Sequence, residues 1–371
     1  MRKLGIIIML IALITTLCAC TGKEAPAPNS AASTPARRPA GEGSETVLAS
    51  SKRNVIYAYT LQDVVYPDQY TAVVISFLKN DSNGNVFESS FPHLADTVSK
   101  FKEEHPYTKV LAGLGGAGNS EIMGIAVMND AARKKLAETT ADLVKSRNLD
   151  GVDLDWEYYS DYPACNAAYL DLARQLRKLL GDSYTISMAG QSAASFYNES
   201  SMKEMMNDVL DYISVMTYDF DFGGRTGSYI GYNGNFTQLK NVMEGYAAVV
   251  NDKSKLNVGM PFYGLKYTVS ENRLYYRNEA ALRYEGDFSY SKIAGEIGAL
   301  AVTPGDYADD GGVALAVKRK SMYVFDNEQT LITKTKWACD NGFGGMMAWV
   351  ANADDAVGTL GKAVCNVLNQ Y

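Results

Sequence analysis

Asp150-Gly151-Val152-Asp153-Leu154-Asp155-Trp156-Glu157 alternates strictly from Val152 onward, and a period of two is that of a β-strand, whose side chains point by turns to its two faces. Asp153, Asp155 and Glu157 therefore share one face, and Val152, Leu154 and Trp156 share the other. Same-face neighbours lie about 6 to 7 Å apart along a strand, so three carboxylates crowd together on a strand whose reverse is apolar enough to be buried under helices. Like charges this close cost stability, because each desolvated carboxylate makes the next ionisation harder. A purely structural strand has little reason to accept that. Two other readings stay open on these residues alone: a surface strand with a solvated acidic face, and a metal site, since Asp and Glu oxygens suit calcium or magnesium.

The remainder of the chain narrows the field. Its 371 residues, 47% hydrophobic and 21% charged, are enough for a sizeable core, whether in two domains or in a single α/β barrel. The net charge is −7 and the basic residues are dispersed. Nucleic acid is excluded as the expected partner, because phosphate contacts want a basic face, and a neutral or weakly charged substrate fits better. The two histidines, His93 and His105, fall beside a predicted helix that runs into Pro106. That argues against a histidine-based triad or a zinc site. No cofactor is implied, and we expect a monomer.

Met1-Arg2-Lys3 precedes an apolar run from Leu4 to Leu17 that is too short and wrongly flanked for an ordinary membrane span, so residues 1–19 read as an export signal. The run ends in Leu17-Cys18-Ala19-Cys20. This resembles a bacterial lipobox, which implies cleavage before Cys20, a lipid on its thiol, and an exported protein held on the cell surface or facing the periplasm. Soluble secretion with an incidental cysteine is the alternative. Residues 20–52, rich in Thr, Gly, Pro, Ala and Ser, cannot bury a core and read as a flexible tether. With Cys20 acylated, Cys165, Cys339 and Cys365 are left; an odd number cannot all pair internally, so each reads as a small buried residue.

From Asn54 onward, short apolar runs alternate with helical patterns, which implies βα units and a parallel sheet. Strands are expected at Asn54 to Thr60, Ala72 to Leu78, Lys109 to Gly116, the acidic stretch, Tyr184 to Gly190, Asp211 to Phe220, Asn257 to Gly264 and Gly344 to Trp349. Helices are expected at Leu94 to Glu104, at Asn166 to Leu180 with Leu170, Leu176, Leu179 and Leu180 as its core stripe, and at Ser201 to Leu210. Another begins after Asp326-Asn327, either of which can cap it. Gly223-Gly224-Arg225-Thr226-Gly227 reads as a plain turn. The connection from 265 to 325 is tyrosine-rich, with strand-like Ala314 to Val317 and Met322 to Phe325.

The acidic stretch resembles the DGxDxDWE signature of glycoside hydrolase family 18, the chitinases and related endo-β-N-acetylglucosaminidases. Support comes from Met216-Thr217-Tyr218-Asp219, similar to the family's MTYD strand, from Gly259-Met260-Pro261-Phe262-Tyr263-Gly264, similar to its GxPFYG, and from the last strand ending in Trp349. Three positions depart from the pattern: Gly113 stands for a serine, Leu265 for a basic residue, and Asn352 for an aspartate. The resemblance implies a (β/α)8 barrel over residues 53–371, with a small α+β insertion at 265–325 between its seventh and eighth strands.

It also implies a mechanism. Most glycosidases flank the bond with two carboxylates, but family 18 is a substrate-assisted exception in which the 2-acetamido oxygen of the substrate attacks. By resemblance, Glu157 is the general acid and base, its pKa pushed up by the aspartates behind it. Asp155 orients the acetamido N–H, Asp153 shares a proton with Asp155, and Tyr218 binds the acetamido carbonyl. Trp349 floors the sugar, with Asp219, Phe77, Met216, Tyr263 and Tyr57 lining the pocket. The implied activity is retaining hydrolysis of β-1,4-linked N-acetylglucosamine. The alternatives are an endo-β-N-acetylglucosaminidase acting on glycoprotein or peptidoglycan glycans, and a non-catalytic glycan-binding surface lipoprotein.

Overall fold

The computed structural model describes residues 47–88, 91–157, 162–226, 229–298, 303–304 and 312–371. The export signal, Cys20, most of the tether and Gly227 lie outside these. Eight parallel strands close into a barrel: β1 Arg53–Ala58, β2 Ala72–Asn80, β3 Lys109–Gly115, β4 Gly151–Asp155, β5 Thr185–Gly190, β6 Tyr212–Val215, β7 Leu256–Pro261 and β8 Gly345–Trp349. Closure is made by β1, which pairs in parallel with both β2 and β8. The fold is the (β/α)8 barrel that the resemblance implies, with the parallel sheet that the alternation of runs predicts. Every residue of β4, β5 and β7 is buried, as expected of a parallel sheet covered on both faces.

The outer helices follow their patterns with one instructive exception. Tyr162–Leu180 buries Leu170, Leu176 and Leu180, but Leu179 is 37% exposed. Nine residues at 3.6 per turn put Leu179 half a turn away from Leu170, so it cannot belong to the same stripe. Leu94–Glu104 forms as the spacing predicts. Glu328–Asp340 is capped by Asn327, whose side chain accepts from the Thr330 N–H while the Thr330 hydroxyl accepts from the Asn327 N–H. Ser200–Glu204 runs on into a widened turn, Met205–Val209.

Two expected strands are shorter than the apolar runs that signal them. β6 ends at Val215 because the chain turns out of the sheet, and Asp219 has φ +59°, a left-handed backbone that a strand cannot contain. The run from 257 to 264 splits at Phe262, whose N–H donates to the Trp349 carbonyl. Leu256–Pro261 stays in the barrel, while Tyr263–Thr268 enters a second, antiparallel sheet with Arg283–Ser289, Ser321–Phe325, Ala314–Lys318 and Thr303–Pro304. The helix Tyr290–Ile297 packs on that sheet.

The end of the expected tether is corrected. Leu48 is buried in the barrel core, its N–H donates to the Asp68 carbonyl, and Val47 and Ala49 are held by the Asn369 amide. A buried leucine and paired backbone groups make Val47 to Lys52 part of the fold. Cys165, Cys339 and Cys365 are buried. Among the described residues no helix is long and apolar enough to cross a membrane.

Candidate active site

Active sites of such barrels lie at the C-terminal ends of the strands, and a cleft of about 620 Å³ opens at that end here. Tyr57, Phe77, Asp155, Glu157, Met216, Tyr218, Asp219, Tyr263 and Trp349 all line it. They come from six different strands or the segments just beyond them. Asp153, the tenth residue named from sequence, does not reach the cleft. It lies one strand layer deeper and is fully buried.

The depth of Asp153 defines its environment. The Tyr57 hydroxyl donates to its Oδ2 at 2.6 Å, and the Ser187 hydroxyl donates to its Oδ1 at 2.6 Å. Burial pushes the Asp153 carboxyl up to about 6, against the pull of the bonds from Ser187 and Tyr57. Asp155 stands above it and is nearly as deeply buried. Burial first, then the charges of Glu157 and Asp153, hold its carboxyl well above the ordinary carboxylate range. Among the described residues no hydrogen bond joins Asp153 to Asp155, and Asp155 Oδ1 is buried without a hydrogen-bond partner. Both oxygens of Asp153 accept hydroxyls from β1 and β5.

Glu157 sits just past the end of β4 and is half-buried, its backbone N–H donating to the Ser120 hydroxyl at 2.9 Å. Trp156 turns the other way. It is 3% exposed, its indole N–H donates to the Ser120 carbonyl at 3.1 Å, and its ring meets Tyr169 edge-on at 5.4 Å. The strand alternation thus persists through the signature and sends the acid into the cleft and the indole into the wall.

An aromatic floor completes the cleft. Trp349 and Phe77 are stacked, with ring centres 5.6 Å apart and planes 18° apart, and Tyr57 and Tyr59 abut the same indole at 5.7 and 5.8 Å. The peptide bonds Ser76–Phe77 and Trp349–Val350 are cis. Phe77 reaches its place because Gly116 has no side chain: a Cβ there would lie 2.4 Å from the Phe77 ring, and its φ of +75° suits glycine. Opposite, Tyr218 is buried, with its ring 6.4 Å from that of Tyr263. Such a wall is an apolar platform edged by acids, the lining of a small-molecule site. Among the described residues no group of three His, Cys, Asp or Glu side chains converges as a metal ion would require.

Sequence reading missed several residues of the cleft and its support. Tyr59, Lys79, Phe91 and Asn119 line it, Ser187 holds Asp153, and Ser120 holds the Glu157 backbone. The alternation in β1 places Tyr57 and Tyr59 on one face, which was a usable signal for Tyr59. Ser187 falls in Ser187-Met188-Ala189-Gly190-Gln191, which loosely resembles the family's fifth-strand end, and the other four belong to no motif.

The family model for glycosyl hydrolases family 18 matches residues 48–354. Chitinase 1 of Aphanocladium album is 27% identical over 274 residues, 68% of this chain and 63% of that protein. The chain spans about three fifths of the length of the first curated relatives it matches. Among solved structures, a chitinase-like agglutinin from Robinia pseudoacacia superposes with a TM-score of 0.76 at 19% identity, covering 85% of this chain and 99% of that one. A family 18 chitinase from Cycas revoluta, in complex with (GlcNAc)3, superposes with a TM-score of 0.75 at 20% identity over the same shares. At these identities the structural likeness establishes the fold, and the matched family model, spanning most of the chain and the whole of its acidic signature, establishes that this protein belongs to glycosyl hydrolases family 18.

Proposed function

We propose that the protein hydrolyses β-1,4-linked N-acetylglucosamine chains, with retention of anomeric configuration, by substrate-assisted catalysis. The observation that carries this reading is the convergence of Asp155, Glu157 and Tyr218 on one cleft floored by the stacked Trp349 and Phe77. A single half-buried acid at the strand end, Glu157, delivers the proton to the leaving oxygen. Catalysis of this kind asks for no second carboxylate as nucleophile across the bond; the 2-acetamido oxygen of the substrate takes that part and gains from proximity. Asp155 accepts from the acetamido N–H and supports the positive charge that grows on the ring the acetamido group forms. Tyr218 donates its hydroxyl to the acetamido oxygen, and Trp349 bears the apolar face of the sugar. Glu157 then takes a proton from the water that opens the intermediate. The relatives are named chitinases in the main, which supports chitin-type chains as the substrate.

Mass spectrometry of products tests the reading, with chitin oligosaccharides, a high-mannose glycopeptide and peptidoglycan offered separately to the wild type and to Glu157→Gln. Short N-acetylglucosamine products from the first substrate alone, lost in Glu157→Gln, are expected. Cleavage confined to the glycopeptide or to peptidoglycan moves the protein to an endo-β-N-acetylglucosaminidase. Binding without cleavage of any of the three overturns the hydrolase reading in favour of a glycan-binding lipoprotein.

We infer also that Cys20 carries a lipid and anchors the protein to a membrane. The support is the run Leu17-Cys18-Ala19-Cys20 after a short apolar segment. Cys20→Ala should release the protein from the membrane fraction.

A further inference from the structure

Asp219 lies on the cleft wall just past β6 with its side chain 43% exposed. Its backbone N–H donates to Asn233 Oδ1 at 3.0 Å, and its carboxylate accepts from the Tyr263 hydroxyl. The cation it needs does not come from the strand Tyr263–Thr268. Leu265, which stands for a basic residue in the resembled pattern, is fully buried in the core of the insertion, and Lys266 turns away to pair with Glu296 at 2.7 Å. Arg225, in the turn Phe222–Thr226, reaches Asp219 instead. Its Nη2 donates to Asp219 Oδ1 at 2.7 Å, and its Nε donates at 3.2 Å to Asp287 in the insertion strand Arg283–Ser289. Asp287 also accepts from the Tyr284 hydroxyl.

One guanidinium thus spans two carboxylates, one belonging to the cleft wall and one to the insertion. The side chain is only 12% exposed. Burial works against its charge, but Asp219 and Asp287 together hold the guanidinium above its ordinary range, so it stays positive at any working pH. The rigid fork of arginine can serve two acceptors at once, whereas the point charge of lysine serves them poorly. Without it, two carboxylates would face each other uncompensated.

We propose that Arg225 is a positioning residue which, by bridging Asp219 to Asp287, fixes the Asp219 carboxylate in the cleft wall and locks the insertion beside it, setting substrate affinity and not the bond-breaking step. The inference rests on the cleft being an N-acetylglucosamine-chain site.

The test is steady-state kinetics on a chitin tetrasaccharide for Arg225→Lys, Arg225→Met and Asp287→Asn, with calorimetric binding of the trisaccharide measured for each change in a Glu157→Gln background. Arg225→Met should raise KM about tenfold or more with a much smaller loss in kcat. Arg225→Lys should fall between it and wild type, and Asp287→Asn should raise KM a few-fold. Trisaccharide affinity should weaken in the same order. Loss of kcat at unchanged KM, or wild-type KM and affinity in both Arg225→Lys and Asp287→Asn, overturns the proposal, and these two variants decide it if Arg225→Met does not fold. A wild type that binds the trisaccharide but cleaves nothing removes the hydrolase reading alone, since the binding series still reports on Arg225.

Discussion

The Tyr57 hydroxyl donates a 2.6 Å hydrogen bond to Oδ2 of Asp153 across the closed barrel, from β1 to β4. Both groups are buried, so this bond and its counterpart from Ser187 are what compensate the inner carboxyl for its lost water. Tyr57→Phe removes one of them and leaves an acceptor without its donor. The expected loss of stability at neutral pH is about 1.5 to 3 kcal/mol, the range for bonds to a charged group. Urea unfolding of the two proteins measures it; a difference within error would mean that Asp153 finds another donor.

The raised carboxyl of Asp153 makes a pH-dependent prediction. Its folded value of about 6 lies above the ~3.9 of an unfolded aspartate, so between those values the native state binds more protons than the unfolded chain. Stability from this group is therefore present below pH ~4 and is lost as pH rises through about 6. Asp153→Asn abolishes the loss. From pH 4 to pH 7 its stability should gain on that of wild type by something on the order of 3 kcal/mol, read from urea unfolding at each pH. Parallel curves would contradict the assignment.

Gly113, which stands for a serine in the pattern the strand resembles, is a packing position. A Cβ at Gly113 would stand 2.7 Å from the Ile75 carbonyl oxygen and 2.9 Å from a Val74 methyl. The hydroxyls that hold Asp153 come from other strands, from Tyr57 and Ser187. Gly113→Ser should therefore destabilise the barrel by about 1 to 3 kcal/mol through overpacking. A thermal melt at or above that of the wild type would refute this.

Lys334 and Asp326 form a buried ion pair at 2.6 Å, and the lysine also donates at 2.6 Å to the Gly234 carbonyl. The pair ties the helix Glu328–Asp340 to the end of the insertion sheet. Lys334→Met strands a buried carboxylate and should cost about 3 to 5 kcal/mol, whereas Lys334→Met with Asp326→Asn should recover part of it. Chemical denaturation of the three proteins tests both halves. Equal stability of the single and double variants would show that Asp326 is not stranded.

Much of the fold was legible because period-two runs and amphipathic stripes are local signals. β4 is an instance: Val152 and Leu154 are apolar and fully buried, with Asp153 and Asp155 between them on the other face. Boundaries were less legible. The apolar run past Val215 continues to Phe220 although the chain has already left the sheet, because hydrophobicity reports burial and not hydrogen bonding. The run through Phe262 passes from one sheet to another without any break in its pattern.

The alternation of Asp153, Asp155 and Glu157, with the strands that resemble their family's, by itself determined that a parallel barrel would present an acidic strand end among Tyr218, Asp219 and Trp349. It could not determine what holds those acids. Tyr57 meets Asp153 across 96 residues and Ser187 across 34, pairings that exist only because the barrel closes. Leu265 in place of a basic residue reads as a lost charge, yet Arg225 arrives beside Asp219 from a turn with no motif of its own. Local patterns decide which face a side chain takes. The partner it meets there depends on how distant segments are brought to the same strand end, and only the tertiary structure decided that.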